Sequence, residues 1–127
     1  MRWLVDGMNV IGSRPDGWWR DRAGAMRRLV AELDTFAAVT AGELHVVLDG
    51  RERDVGSPTH VAVSFAPGGR DAADHEIARL VEADGDPSTL TVVTSDRELV
   101  ARVAAAGAAV EGVRRFGARM QEAAGRG

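Results

Sequence analysis

The segment Trp3–Gly7, with the sequence WLVDG, places an aspartate and a glycine directly after a short apolar run. The same order returns at Val46–Gly50, VVLDG, and a third run, Leu90–Ser95, is followed by Asp96. Short apolar runs of this kind are typical of strands buried in a parallel sheet. The carboxyl ends of such strands share one edge, and ligands bind there. We therefore expect these three aspartates to lie close together although they are far apart in the sequence.

Strand-like and helix-like segments alternate along the whole chain. The strand candidates are residues 2–6, 44–49, 60–65, 90–95 and 109–113, and the helix candidates are 19–38, 71–83, 97–106 and 114–124. This alternation implies crossover connections and a mostly parallel sheet with helices on both faces. We expect a three-layer α/β/α sandwich that forms a single domain over residues 1–127, with a surface loop at 51–59 and a frayed tail from about residue 124.

The composition excludes several classes of protein. The chain has no cysteine, which excludes disulfides and thiolate metal ligands. No apolar run approaches the length of a membrane span, and an acid follows the first apolar run too early for a signal peptide. We therefore expect a cytoplasmic protein that does not enter a membrane.

The basic residues are all arginine, sixteen in number, and the net charge is −3. Codon bias in a GC-rich genome is one explanation for the absence of lysine. Whatever its origin, the composition supplies guanidinium groups, whose planar fork matches phosphate oxygens better than an ammonium group does.

The aspartates differ in how well a purely structural role explains them. Asp6 ends a strand that is apolar on both faces, where an unpaired carboxylate would be costly, so we favour a functional role. Asp49 precedes a glycine, and a turn-forming role is as good an explanation as a site. Asp74 lies three and seven residues before Ile77 and Val81, on the apolar stripe of its helix, so its carboxylate should lean over the edge of the sheet.

Two further acids lie at predicted helix starts. Ser95 and Glu98 have the spacing of a capping box, which explains those two residues and leaves Asp96 for another role. Asp71 lies in the first turn of its helix, where acids are favourable without any function. Asn9 follows the first strand and is expected either to orient an acid or a substrate phosphate, or to cap a helix.

A cluster of carboxylates needs protons or a cation. Two carboxylates about 4 Å apart repel by roughly 1 kcal/mol in water and about 4 kcal/mol at an effective dielectric of 20. The three histidines, His45, His60 and His75, lie on separate segments, so zinc-type and paired-imidazole sites are not expected. Oxygen ligands alone indicate Mg²⁺ or Mn²⁺.

Arginines flank the same predicted edge of the sheet. An acidic pocket rimmed by guanidinium groups suits a phosphodiester backbone. Trp18 and Trp19 are candidates for stacking on unpaired bases, although one of them could instead belong to the core. The candidate RNA-binding residues are Arg14, Arg20, Arg51, Arg70, Arg97 and Arg115.

Four motifs together resemble the YacP-like branch of the NYN domains, which are relatives of the PIN nucleases. They are VDGMNVIG at 5–12, VVLD at 46–49, DAADHEI at 71–77 and VTSD at 93–96. The resemblance implies a PIN-like sandwich and a divalent-metal-dependent endoribonuclease. It matches Asp6, Asp74 and Asp96 to the family's metal-binding acids, and Asp71 to a further acidic position; Asn9 and Ser95 match supporting positions.

The resemblance also makes translated mRNA a candidate substrate and the ribosome a candidate partner. The alternative is a module of the same fold that binds RNA or the ribosome without cleaving RNA. A phosphatase is a third hypothesis. The oligomeric state stays open between a monomer and a weak dimer.

Overall fold

In the computed structural model, which describes residues 1–126, five strands form a single parallel sheet. The order across the sheet is β3-β2-β1-β4-β5, and every neighbouring pair is parallel. The prediction of a mostly parallel sheet is confirmed. The strands are β1 (Arg2–Asp6), β2 (Glu43–Asp49), β3 (Val61–Ala66), β4 (Leu90–Val93) and β5 (Ala109–Glu111).

Helices cover both faces of the sheet, as the three-layer prediction requires. They are α1 (Gly7–Gly12), α2 (Arg22–Thr40), α3 (Ala72–Glu82), α4 (Arg97–Ala105) and α5 (Val113–Arg126). One apolar cluster joins the sheet to α1, α2 and α5, and a second cluster joins the opposite face to α3 and α4. Between residues 1 and 126, no helix is long and apolar enough to cross a membrane.

The first strand lies at the centre of the sheet and is buried on both faces. Trp3 and Val5 pack into the first cluster, whereas Leu4 packs into the second. The Trp3 ring lies edge-on to Phe36 of α2 and tilted against Phe116 of α5, with centroids 5.8 and 5.2 Å apart. Because side chains alternate along a strand, a run of apolar residues is what burial on two faces demands. The end of β1 therefore lies in the middle of the sheet's carboxyl edge.

The connection from β2 to β3 crosses the α2 side of the sheet without a helix. Asp34 of α2 holds its end, because the Asp34 Oδ1 oxygen accepts hydrogen bonds from the backbone N–H groups of Thr59, His60 and Val61 at 3.0, 2.6 and 3.0 Å. The expectation of a plain surface loop at 51–59 is wrong at Val55, which is 8% exposed and belongs to the first core cluster.

Two helices in the amino-terminal part of the chain differ from the prediction. Helix α1 was not expected, because its residues 7–12 contain two glycines and an asparagine, which have low helix propensity. Helix α2 begins at Arg22 rather than at residue 19. Residues 18–20 form a short 3₁₀ turn instead, and the Asp21 carboxylate then caps α2 through the Gly24 N–H at 2.9 Å.

The carboxyl-terminal boundaries also differ. Strands β4 and β5 end at Val93 and Glu111, two residues earlier than predicted. Residues 94–96 form the loop that leads into α4, and α5 already begins at Val113. The tail that we expected to fray from about residue 124 is helical to Arg126, since buried Ala123 anchors the last turns. Gly127 lies outside the described residues.

Candidate active site

The carboxyl edge of the sheet brings the predicted acids together. Asp6 and Asp49 are the last residues of the adjacent strands β1 and β2. Asp96 follows β4 on the other side of β1, and Asp74 lies in the first turn of α3. Burial raises the pKa of Asp74, and the negative charges of Asp96, Asp71 and Asp49 raise it further. The edge is therefore an acidic patch, assembled from four elements.

Asp6 is the most buried member of this patch. Its side chain is 4% exposed, and the Thr94 hydroxyl donates a hydrogen bond to Asp6 Oδ2 at 3.0 Å. Burial raises the pKa of Asp6 to about 7; the Thr94 hydrogen bond opposes this shift, whereas the charges of Asp74 and Asp49 add to it. Near neutral pH, a nearby cation would therefore favour the ionised form of this carboxyl group.

Thr94 was not predicted as a site residue. It is fully buried, and its hydroxyl oxygen also accepts a hydrogen bond from the Asp96 N–H at 3.1 Å. One hydroxyl group therefore couples Asp6 to the start of α4. The available signal was a threonine at the end of an otherwise apolar strand, directly before the Ser-Asp pair.

Asp96, not Ser95, caps α4, so the predicted capping box is wrong. The Asp96 Oδ1 atom accepts a hydrogen bond from the Leu99 N–H at 2.9 Å. Ser95 instead accepts one from the Val113 N–H at 3.1 Å and so holds the start of α5. The helix begins one residue later than the box requires, which leaves Glu98 exposed in the first turn. Among residues 1–126, no hydrogen bond uses the second oxygen of Asp96.

Asn9 fastens α1 to the loop after β4. Its side-chain oxygen accepts a hydrogen bond from the Ser95 N–H at 2.8 Å. Asn9 is the third residue of α1, so it is not the cap that we considered. Its position beside Ser95 keeps two predicted supporting residues together.

Asp49 has a buried oxygen without a partner. Its Oδ1 atom makes no hydrogen bond within residues 1–126, which argues against the turn-forming role. Burial raises the pKa of Asp49, whereas the guanidinium group of Arg22 lowers it. A buried acceptor left unpaired costs about 1–3 kcal/mol, which a ligand at this atom would offset.

Asp71 lies at the start of α3, where it is exposed. The structure gives its side chain no capping hydrogen bond. Its charge contributes to the raised pKa of both Asp74 and Asp49, so it belongs to the same acidic patch.

The donor chemistry of this patch fits a hard divalent ion. Its ligand atoms are carboxylate oxygens, and one of them is the orphaned Asp49 Oδ1. Within the described part of the chain, no three carboxylate or imidazole side chains converge closely enough to hold one ion. Mg²⁺ is commonly bound through only one or two carboxylates, with waters and substrate phosphates as the remaining ligands. The ligand roles of Asp6, Asp74 and Asp96 stay a prediction.

The six predicted arginines differ in their exposure and in the groups that they contact. Arg14 is held by Glu32 through two hydrogen bonds of 2.9 and 3.1 Å, so contact with RNA would compete with this pair. Arg115 lines a groove of about 660 Å³ between α1 and α5, beside Asn9 and Ser95. The other four are exposed on segments that adjoin the carboxyl edge: Arg20, Arg51, Arg70 and Arg97.

Gly7 sets the distance between α1 and β2. A Cβ atom at Gly7 would lie 2.5 Å from Leu48 Cδ2 and 3.0 Å from the Val47 carbonyl oxygen. We expect Gly7→Ala to lower the free energy of unfolding by about 1–3 kcal/mol, because overpacking displaces the junction next to Asp6. Urea unfolding measures this effect. Gly12→Ala is the matched control in the same helix, since nothing lies within 4 Å of its Cβ position; equal stability of the two variants would contradict the prediction.

Solved structures with the same fold come from Bacillus subtilis. A single-residue variant of Rae1 (YacP) has a TM-score of 0.83 and 24% sequence identity, covering 98% of this chain and 77% of that chain. Unmodified Rae1 (YacP) gives a TM-score of 0.81 and 22% identity, covering 99% and 76%. At these identities the similarity shows the fold. No curated protein sequence matches the chain significantly.

The sequence model of the YacP-like NYN domain matches residues 3–126, which is nearly the whole chain. Domains of this kind have a PIN-like nuclease fold and generally use divalent metal ions. The resemblance seen in the four motifs is confirmed, and the chain belongs to the YacP-like NYN domain family.

Proposed function

We propose that this protein is a divalent-metal-dependent endoribonuclease. The observation that carries the proposal is the acidic patch, in which Asp6, Asp49, Asp74 and Asp96 share one sheet edge and Asp49 Oδ1 has no hydrogen-bond partner among the described residues. Strongly perturbed titratable groups at a sheet edge mark candidate active sites. The nuclease-like fold of the family makes phosphodiester hydrolysis the chemistry that suits this patch.

We propose the carboxylates of Asp6, Asp74 and Asp96 as the ligands, one or two of them binding an ion directly and the rest through its bound waters, with Asp49 and Asp71 beside them. When bound, a divalent ion supplies Lewis acidity for the in-line hydrolysis of a phosphodiester. The chain itself contributes orientation. Thr94 fixes Asp6 and the backbone of Asp96 through one hydroxyl group, so that two carboxylates from β1 and α4 keep their relative position. Cleavage of this kind leaves 5′-phosphate and 3′-hydroxyl ends.

The exposed arginines are the proposed contacts to the RNA backbone. Arg20, Arg51, Arg70 and Arg97 are exposed on segments that adjoin the carboxyl edge of the sheet, and Arg115 lines the groove next to Asn9. Guanidinium groups offset the negative charge of the patch, which would otherwise repel a phosphodiester. In the transition state the same groups stabilise the charge that develops on the phosphate.

We further propose translated mRNA as the substrate and the ribosome as a partner, with a cytoplasmic location. The support for this step is the resemblance of the four motifs to the YacP-like NYN domains, to which the chain belongs. The proposed cleavage of free RNA does not depend on the ribosome or on mRNA as the natural substrate.

A second candidate function is RNA binding without cleavage. The observation that favours it is that no three potential ligands in the described chain converge on one point. Such a module would use the same arginines and would need no ion.

Incubation of end-labelled single-stranded RNA with the protein in Mn²⁺, with and without EDTA, tests the proposal. We expect internal cleavage that EDTA abolishes. RNA that is bound and stays intact in Mn²⁺ would overturn the nuclease and favour the binding module. Turnover of a small phosphomonoester, with RNA left intact, would identify a phosphatase instead. For variants that remove an acid of the patch, Glu52→Gln is the matched control for loss of one negative charge, because Glu52 is an exposed acid in the loop after β2.

A further inference from the structure

We propose that Trp19 is a stacking platform for an unpaired RNA base, so that the site takes single-stranded rather than duplex RNA. The inference rests on the proposed function only in its choice of RNA as ligand. Trp19 is 60% exposed, whereas Trp3 is 5% exposed and Trp18 is partly buried. The Trp19 indole is therefore not part of the core, and it lies in the turn that leads into α2.

The Trp19 ring is held in place before any ligand binds. It stands edge-on to the Trp18 ring, at a centroid distance of 6.0 Å and an interplanar angle of 86°, and Trp18 packs against the first core cluster. The turn is closed by two backbone hydrogen bonds, from the Arg20 N–H to Gly17 and from the Asp21 N–H to Trp18, at 3.0 and 3.1 Å. A fixed aromatic ring loses little conformational entropy when a base stacks on it.

One positively charged group lies against the ring and favours a partner that carries a phosphate. The Arg20 guanidinium carbon lies over the Trp19 ring, 5.9 Å from its centroid. A base stacked on the indole would bring its phosphate within reach of this guanidinium group. Aromatic stacking together with arginine contacts is how proteins bind single strands without reading their sequence.

Arg22 relates the tryptophan pair to the acidic patch through its charge. The Arg22 guanidinium carbon lies 5.5 Å from the centroid of the Trp18 ring. The charge of the same guanidinium group also lowers the pKa of the Asp49 carboxyl group at the end of β2. A strand whose base rests on Trp19 would run past Arg22 towards Asp49. Bases in a duplex are stacked on each other and cannot offer a free face to the indole.

Fluorescence anisotropy of a labelled 12-nucleotide single strand and of a matching duplex, in Ca²⁺ and in EDTA, tests the proposal with the full chain. We expect Trp19→Leu to weaken single-strand binding by about tenfold, in keeping with the contribution of one stacked base. Trp19→Phe should retain most of the affinity, and duplex binding should not change. Val39→Ala is the control for loss of an exposed apolar side chain, since Val39 is 37% exposed on α2. Single-strand binding should also quench the tryptophan fluorescence of the wild type and not that of Trp19→Leu.

Three results would overturn the proposed role of Trp19. The first is single-strand affinity in Trp19→Leu equal to that of the wild type, which would leave the ring to a protein partner. The second is an equal loss of affinity for single strand and duplex in this variant, and the third is no single-strand binding by the unmutated chain in either buffer. Cleavage separates this inference from the proposed function. Binding that depends on Trp19, with RNA intact in Mn²⁺, rejects the nuclease and keeps the platform. Normal cleavage and KM in Trp19→Leu keeps the nuclease and rejects the platform.

Discussion

Replacement of Asp6 by asparagine is expected to abolish RNA cleavage and, in the absence of divalent ions, to stabilise the folded protein above pH 7. The side chain is 4% exposed, and burial raises its pKa from 3.8 to about 7, with further contributions from the charges of Asp74 and Asp49. Ionisation is therefore unfavourable in the folded state. Asparagine has the same shape and keeps an oxygen for the Thr94 hydroxyl group without carrying the charge.

The sign of the effect follows from proton linkage. Because the pKa of Asp6 is higher in the folded state, the folded protein binds this proton more tightly than the unfolded chain does. Ionisation of Asp6 therefore destabilises the folded wild-type protein. This destabilisation is absent below about pH 4, grows as the pH rises towards 7, and is complete above pH 7. Its size is about 2–4 kcal/mol, since one pKa unit corresponds to roughly 1.4 kcal/mol.

Urea unfolding of both proteins at pH 5 and pH 8, with EDTA or Mn²⁺, measures this difference. In EDTA we expect the variant to gain more stability over the wild type at pH 8 than at pH 5, where only part of the effect has developed. In Mn²⁺ the wild type should recover stability and the variant should not, because a bound cation neutralises the Asp6 carboxylate. Glu52→Gln should behave as wild type. Lower stability of the Asp6 variant at pH 8 in EDTA, or cleavage at the wild-type rate, would contradict the prediction.

Replacement of Asp96 by asparagine is expected to reduce cleavage by at least about a hundredfold, since even outer-shell partners of metal sites account for about 10–100-fold in activity. The fold should be kept. Asp96 Oδ1 caps α4 through the Leu99 N–H at 2.9 Å, and asparagine caps helices about as well as aspartate does. The substitution therefore removes the charge and leaves the cap.

Asp96→Ala is the matched comparison. It removes the charge and the cap together, and we expect it to lose about 1 kcal/mol of stability in addition to cleavage. Cleavage rates in Mn²⁺ and urea unfolding of both variants separate the two roles. If Asp96→Asn cleaved RNA at the wild-type rate, Asp96 would be a helix cap and nothing more.

The fold could be predicted because its decisive signals are local. Apolar runs such as residues 3–5 and 46–48 need burial on two faces, and only a covered parallel sheet provides it for several strands at once. The same local signals could not reveal α1. Half of its six residues, two glycines and an asparagine, have low helix propensity, and the helix exists because it packs Val10 and Ile11 into the core, which is a tertiary effect.

The acids of the candidate site could be predicted from the sequence, whereas the hydrogen bonds that hold them could not. A strand-end aspartate is visible in the sequence, because the carboxyl edge follows from the topology. The Thr94 hydroxyl that couples Asp6 to Asp96 is visible only once β1 and β4 are adjacent. The cap of α4 was misassigned for a related reason: Ser95 is drawn to the Val113 N–H by the packing of α5, a contact 18 residues away.

The central position of β1 has a consequence for how the protein is made. Strand β1 pairs on one side with β2, which follows it in the sequence, and on the other with the more distant β4, whose Leu90 lies opposite Arg2. Contacts this distant in sequence form slowly and late. During synthesis, Asp6 is made 88 residues before Thr94, whose hydroxyl group donates a hydrogen bond to it, and the Asp96 carboxylate follows two residues later. Translation itself therefore delays assembly of the site until β4 and the start of α4 have been made.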